Sequence, residues 1–454
     1  MIDSFNFKPY FDTPETLANK FLDVYFNDTQ PSYPINPFMI LEDLNIVFQF
    51  RDFKELEGIY IVPEDEDDIP VVGINNKRPI SRQRFTAAHE ICHHIKDRNV
   101  ARICPIGKKD EIEKFADKFA SELLMPKFEL EAQAIKFEKN GYVEFEDVII
   151  ISDYFGVSFE SCVFALAYKL RKIDGDIRAS ELKKRIRKFK PVKKRKKLGL
   201  KNYDINLLKN VIESYTYFLD TRSPAVWYKF KNNFVYNENK LEGVNIDYPD
   251  IAEIVTDLRV NNTQSDYCTS EYKDIIEVVG HASLYDYLIN TEENISVYKI
   301  LKLHKLLYQY APYSEYGGST RKTNNYVSSS KFETVDFNEI GNRMFELDQE
   351  LNQLIKNKDE ISLCDYIEMC VMIHYKITII HPFHDGNGRV SRAMLNWLLK
   401  LKNLPPIYLR ADKKERYYDA LMTADTTNDY DPLYEVFYRA ILSSLVELNT
   451  KFEL

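Results

Sequence analysis

Six cysteines are scattered over 454 residues, at positions 92, 104, 162, 268, 364 and 370, without the paired spacing of a disulfide framework or a zinc ribbon. A disulfide-stapled secreted scaffold is therefore excluded as the basis of the fold, and a reducing, cytoplasmic setting is expected. The opening Met1-Ile2-Asp3-Ser4-Phe5 lacks a basic start and an apolar core, so no secretory leader is expected. No apolar run reaches the roughly 20 residues of a membrane span. Val148-Ile149-Ile150-Ile151 is the greasiest stretch and is flanked by polar residues, so no membrane partner is expected. Internal repeats and low-complexity tracts are also missing, which argues against solenoids and disordered tails.

What remains is an ordinary globular composition, 44% apolar and 29% charged, with a length that suggests two to three domains. The net charge of -9 is unevenly spread. Residues 183–201 carry 12 Lys and Arg and no Asp or Glu, which leaves -21 for the rest (-9 minus 12). Such a run reads as a solvated linker. The rival reading is contact with nucleic acid or an acidic partner. Phe189 is the lone aromatic there, so base stacking has no support. With Pro191 inside it, this run marks a boundary: one domain over 1–175, a basic linker over 176–204, and a second domain over 205–454.

The first domain reads as α+β. Helical spacing runs through Leu17, Phe21 and Val24, and Ile59–Val62 and Val71–Ile74 read as strands. Ser81 is placed to cap a helix through Phe85, Ala88, Cys92 and Ile95, and a further helix over 111–124 stops at Pro126. The second domain is mostly α-helical. One helix runs from Leu363 to Ile377 and another from Val390 to Leu399. A polar loop over 312–330 is long enough to suggest function.

His89-Glu90-Ile91-Cys92-His93 sets two imidazoles four residues apart, on one face of a helix. Such a pair can hold Zn²⁺, and Glu90 beside it can deprotonate a water polarised by the metal. A catalytic site needs a third protein ligand and an open position. Glu113 is the candidate ligand, and Asp117, one turn on, can orient a ligating histidine. His94 falls off this face. The stretch Arg84–Glu90, followed by Glu113–Pro126, resembles the ImmA/IrrE family of metallopeptidases over about residues 10–170. The resemblance implies a zincin-like domain with His89, His93 and Glu113 as zinc ligands and Glu90 as the base. It also implies a regulatory protein as substrate, often a helix-turn-helix repressor.

The second constellation is His381-Pro382-Phe383-His384-Asp385-Gly386-Asn387-Gly388-Arg389-Val390-Ser391-Arg392. Glycines at the start of a helix let N–H groups approach phosphates, and the helix dipole favours the anion. Asp385 is a hard oxygen ligand suited to Mg²⁺. Arg389 and Arg392 are planar forks for phosphate oxygens. His381, on the other rim, can take the proton of an attacking hydroxyl. His384 reads as a neutral occupant. These twelve residues resemble the Fic family motif at every defined position, over a likeness extending from about 215 to 445.

That resemblance implies transfer of AMP from ATP to a Ser, Thr or Tyr hydroxyl of a target protein. His381 is then the base and Asp385 holds Mg²⁺. Gly386, Asn387, Gly388, Arg389 and Arg392 bind the nucleotide. Gly318 and Arg321, with the loop through Lys331, resemble the family's target-clamping flap. Asn237–Gly243 resembles its inhibitory motif, with Glu242 facing Arg392. Glu238 stands where that motif has Ser or Thr, and either repels Glu242 or itself reaches Arg392. The whole reads as a two-enzyme fusion with a toxin–antitoxin or defence role. Two alternatives stay open: an amino-terminal domain that binds the target without cutting it, and a Fic domain that removes AMP or transfers another phosphate-containing group.

Overall fold

The structure is a computed structural model that describes residues 7–8, 11–27, 29–63, 68–97, 101–107, 110–201, 203–215, 221–325 and 334–451. It divides into two compact units, residues 1–217 and 218–454.

Unit 1 is built on one sheet. Its strands are β1 (Val47–Arg51), β2 (Leu56–Ile61), β3 (Val71–Asn75) and β4 (Arg102–Pro105), in the order β1-β3-β2-β4. β1 and β3 run parallel, and β2 is antiparallel to β3 and β4. The apolar run Val71–Ile74 takes an inner position, as a strand covered on both faces should. β1 and β4 escape the sequence reading. Both are short, and β4 is interrupted in its apolar pattern by Arg102 and Cys104.

The amino-terminal helices α1 (Pro14–Phe26) and α2 (Pro37–Asp43) are capped by Thr13 and Asn36, with Pro at the first helical position of each. α3 (Ile80–Lys96) begins one residue before Ser81, behind Pro79, so Ser81 lies inside the first turn and is not the cap. Proline's fixed φ already prepares that start. α4 (Glu111–Leu124) is capped by the Asp110 carboxylate, which accepts the Glu113 N–H at 2.9 Å. Ala87 and Ala88 of α3 are fully buried, and Phe38, Phe48, Ile74 and Phe119 are buried in the same unit.

A second core lies beyond α5 (Lys127–Phe137). α6 (Phe145–Phe155) and α7 (Phe159–Tyr168) bury Val148, Phe155, Cys162 and Leu166 together. The greasy stretch at 148–151 is thus helical core. No single helix among the described residues is long and apolar enough to cross a membrane.

The basic run is not a tether. It folds as α8 (Ala179–Phe189) and α9 (Pro191–Lys197), and Leu182 and Ile186 of α8 join the second core. Spaced four apart, they form one apolar stripe while the lysines and arginines take the other faces. Arg195 forks onto Asp153, and Lys194 lies 2.6 Å from Glu146. α10 (Asp204–Ser214) also belongs to unit 1. It buries Leu207, Leu208 and Val211, and Ser214 meets Asn36 at 3.2 Å. The expected boundary at 176–204 therefore moves to 217/218.

Unit 2 is helical throughout its described residues. α11 (Pro224–Leu241), α12 (Tyr248–Asn261), α13 (Lys273–Asn290) and α14 (Lys299–Tyr308) precede a loop of turns. α15 (Ile340–Asn357), α16 (Leu363–Ile380), α17 (Asn387–Leu401), α18 (Lys414–Thr427) and α19 (Asp431–Lys451) follow it. α16 and α17 pack side by side through Ile367, Val371, Met394 and Leu398, all buried. The residues between them, 381–386, form the motif loop.

Arg84 locks the halves of unit 1 together. It has no exposed surface, and it donates to the carbonyls of Gly156 (3.1 Å), Ile35 (2.6 Å) and Phe155 (3.5 Å). Arg84→Ala is expected to destabilise this unit by about 3 kcal/mol, because charge-assisted bonds are lost and buried carbonyls are left bare. Hydrogen exchange in α3 and α6 reads this directly. Unchanged protection there would show that Arg84 holds nothing.

Candidate metal centre and candidate active site

In unit 1, α3 carries His89, Glu90 and His93, and α4 carries Glu113 and Asp117. The four-residue spacing puts each pair on one helix face. His89 Nε2 lies 3.2 Å from Glu113 Oε2, and His93 Nε2 lies 3.4 Å from Glu113 Oε1. The two Nε2 atoms are 3.0 Å apart. Asp117 meets His89 Nδ1 at 3.1 Å, and Asp97 meets His93 Nδ1 at the same distance. A carboxylate accepts, so each Nδ1 carries a proton, and both Nε2 atoms face the same small space beside Glu113. Two ring nitrogens this close, faced by a carboxylate, need a cation or a proton among them.

The local electrostatics agree. Burial opposes charge on His89, yet Asp117 and Glu113 push its pKa up to about 9. Glu113 is held well below the usual carboxylate range; burial works against this, but His89 and His93 outweigh it. Burial pushes the Glu90 carboxyl up, and the Cys104 thiol lies within its reach. A fourth donor escaped the sequence reading. Cys104 Sγ, on β4, sits 3.8 Å from His93 Nε2, and one donor atom each from His89, His93, Cys104 and Glu113 fall within 4.8 Å of one another. Zinc bonds of about 2.0–2.3 Å give ligand-to-ligand edges of about 3.3–3.6 Å, so the donor set fits Zn²⁺. His94 turns away, as its position implies, and meets Tyr60 Oη at 2.9 Å.

In unit 2, His381 ends α16 in the left-handed conformation, φ 50°. Its Nδ1 lies 3.3 Å from the Thr378 carbonyl, which can only accept, so Nε2 is the open base. Burial lowers its pKa below the ordinary histidine value, which keeps it neutral and able to take a proton. Pro382 and Phe383 are buried, and His384 is exposed. The Asn387 side chain closes the loop, accepting from the Phe383 N–H and donating to the Phe383 carbonyl, both at 2.9 Å. It serves the loop rather than facing a nucleotide. Gly386, with φ 75°, turns the chain into α17, whose first N–H groups have no partner within the helix.

The two arginines part company. Arg389 is 1% exposed and bonds Glu277 at 2.8 Å and Tyr308 at 3.0 Å, with Asp385 at 3.5 Å. The sequence reading places Arg389 at phosphate; here its charge is met by Glu277. Arg392 donates through Nε to Glu238 and through NH2 to Glu242, each at 2.6 Å. Glu242 follows the last turn of α11, and Gly243 at φ 89° ends the helix there. Gly388 makes room for the pair, since a Cβ would stand 2.8 Å from Glu242 and 2.9 Å from Arg392. Asp385 keeps its side chain 65% exposed, so it is available to a cation.

Arg321 and Gly318, expected at the flap, are engaged with the motif loop and its neighbours. Arg321 is 2% exposed and donates to the carbonyls of His381 (2.7 Å), Thr323 (2.9 Å) and Val335. Such a guanidinium is occupied and braces the loop. Gly318 donates to His304 Nδ1 at 2.8 Å, and His304 Nε2 donates to the Asp385 carbonyl at 3.1 Å. His304 stacks on Phe383 at 3.8 Å, and burial pulls its pKa down to about 4, so it stays neutral. The sequence carried no motif for His304, Tyr308 or Glu277. Residues 326–331 of the expected flap lie outside the described residues.

Comparison with known proteins covers both units. The family model for the IrrE N-terminal-like domain matches residues 41–167, and that for the Fic/DOC family matches residues 294–399. Over 139 residues the chain is 32% identical to the protein adenylyltransferase fic-1 of Caenorhabditis elegans, a match spanning 30% of this chain and 26% of that protein. It is 29% identical over 144 residues to the protein adenylyltransferase Fic of Culex quinquefasciatus, with the same two shares. The chain thus spans about a quarter of the length of the curated relatives it matches. A solved structure of Fic-1 from C. elegans aligns with a TM-score of 0.43 at 19% identity, over 81% of this chain and 98% of that one. The chain therefore joins an IrrE N-terminal-like domain to a domain of the Fic/DOC family.

Proposed function

We propose that unit 2 transfers AMP from ATP to a Ser, Thr or Tyr hydroxyl of another protein. The observation that carries this reading is His381 with its Nδ1 tied to Thr378 and its Nε2 open, on a loop that ends in a glycine-rich helix start. Its similarity to proteins named protein adenylyltransferases supports the same reaction. On this reading the N–H groups at the start of α17 hold the α- and β-phosphates. Arg392, released from its carboxylates, takes the γ-phosphate. Asp385 would hold Mg²⁺, which supplies neutralising charge at the phosphates. His381 Nε2 takes the proton of the target hydroxyl as its oxygen attacks the α-phosphorus. The bond to the β-phosphate oxygen breaks, and pyrophosphate leaves.

The same geometry supports self-inhibition. Arg392 is 3% and Glu238 1% exposed at the side chain, so their charges are strong in each other's presence. Glu238 takes the alternative of reaching Arg392 itself, through Nε. It adds a second hold on the group that the γ-phosphate needs.

For unit 1 we propose zinc at His89, His93 and Glu113, and hydrolysis of a peptide bond in a regulatory protein, of which a helix-turn-helix repressor is the class to try first. Glu90 would take the proton from the attacking water. The rival, a zinc-bearing module that binds a target without cutting it, draws support from the cavity beside His89 and Cys104, which is only about 10 Å³.

Three outcomes check these readings. His381→Ala should lower AMP transfer at least about 100-fold while ATP affinity holds, because the phosphates keep their partners. Labelled ATP with host lysate and mass spectrometry reads the adduct, and transfer at the parent rate would move the base elsewhere. Glu242→Gly should raise self-labelling about tenfold, equivalent to about 1.4 kcal/mol. Glu238→Ser should raise it less, since Glu242 still holds Arg392; equal rates in parent and both variants would leave the clamp without a regulatory role. Glu90→Gln should keep the metal and lose cleavage of the repressor. Full cleavage by that variant would remove Glu90 as the base.

A further inference from the structure

The peptidase reading requires three protein ligands and an open fourth position. The donor set here is larger. Cys104 reaches the cluster because of the sheet register. Gly58 of β2 pairs directly with Cys104 of β4. A Cβ at Gly58 would stand 2.4 Å from Glu90 Oε1 and 2.5 Å from Thr86, so only glycine lets α3 lie this close to the sheet. The close approach brings the Cys104 sulfur, on a strand, to the Nε2 face of α3. The thiol is 4% exposed and is one of six free cysteines.

The surroundings match a closed site. Glu90, with no exposed surface, stands beside the same cluster, within reach of the Cys104 thiol. The adjoining cavity of about 10 Å³ has room for about one water and none for a peptide. Arg82 lies over the Phe85 ring at 4.9 Å and reaches Glu57 at 3.4 Å, and all three residues line that cavity. Arg82 and Phe85 thus stand at the edge of that cavity.

We propose that Cys104 is the fourth zinc ligand and keeps the unit 1 site latent. The inference rests on zinc binding at His89, His93 and Glu113. With the sulfur in place, the site has four protein ligands, as structural zinc sites do, and Glu90 has no water to act on. Cleavage then requires Cys104 to leave, by a shift of β4 away from α3. Zinc affinity and cleavage are opposed in this arrangement: the ligand that tightens the metal also closes the site.

Cobalt supplies a readout independent of activity. The full-length chain, stripped of metal and loaded with one equivalent of Co²⁺, is expected to show the intense near-ultraviolet absorption of a cobalt–thiolate bond. Cys104→Ser should lose that band, still bind one Co²⁺, and bind it about tenfold or more weakly. Cys92→Ser, on the same helix as the histidines, should keep the band. If the repressor is cleaved, Cys104→Ser should cut it faster than the parent. Bound Co²⁺ without the band in the parent chain overturns the Cys104 assignment and leaves the three-ligand reading standing. A band that survives in Cys104→Ser, or vanishes in Cys92→Ser, also overturns it. Failure of the parent chain to bind Co²⁺ or Zn²⁺ at all removes the zinc reading and this inference with it. The parent spectrum decides even if a variant does not fold.

Discussion

A buried guanidinium must be neutralised where it sits, and in unit 2 that requirement shapes the site. Arg392 is 3% exposed and meets Glu238 and Glu242 at 2.6 Å each. Removing one partner from a buried pair typically costs about 3–5 kcal/mol, because the remaining charge is stranded. Arg392 avoids that cost by having two partners. The arrangement draws the end of α11 onto the start of α17. It explains why Gly388 has no side chain and why Gly243 ends the helix where it does. The ion pair makes Glu242 favourable at a helix carboxy terminus, where a carboxylate is otherwise disfavoured by the dipole.

The other buried arginines of this unit obey the same rule with different partners. Arg389 is neutralised by Glu277, and Arg321 donates to the backbone carbonyls of His381 in the motif loop and of Thr323 and Val335 outside it. The loop is thus held from outside. His304 grips the Asp385 carbonyl, and Asn387 grips both polar groups of Phe383. If His381 is the proposed base, it is already oriented before a substrate arrives, which is where much of a positioning contribution to rate comes from.

Unit 1 meets the constraint with the opposite sign. Glu90, Glu113, Asp97 and Asp117 cluster around two imidazoles and a thiol. Burying that much carboxylate without a cation is costly. A bound metal ion would settle the cost, and the proposed fourth ligand would settle it at the expense of an open coordination position. Gly58 is the backbone feature on which this depends, since any side chain there would push α3 off the sheet.

Local periodicity is what the sequence could determine alone. His89 with His93, and Glu113 with Asp117, share a face because four residues nearly complete a helical turn. The motif from His381 to Arg392 needed only a helix end, a loop and a helix start, and the fold class followed from the same patterns. Partners distant in the chain were decided only by packing. Arg389 meets Glu277 across 112 positions with no spacing rule to link them, and for Glu238, 154 positions from Arg392, the sequence left two alternatives between which only packing chose. Cys104 lies 11 residues past His93 on a strand too short to read, and its place comes from pairing with Gly58. The basic run showed its charge but hid the Leu182 and Ile186 stripe that makes it a packed helix. Short-range geometry is written in residue spacing, whereas neutralisation of buried charge depends on which surfaces the fold brings together.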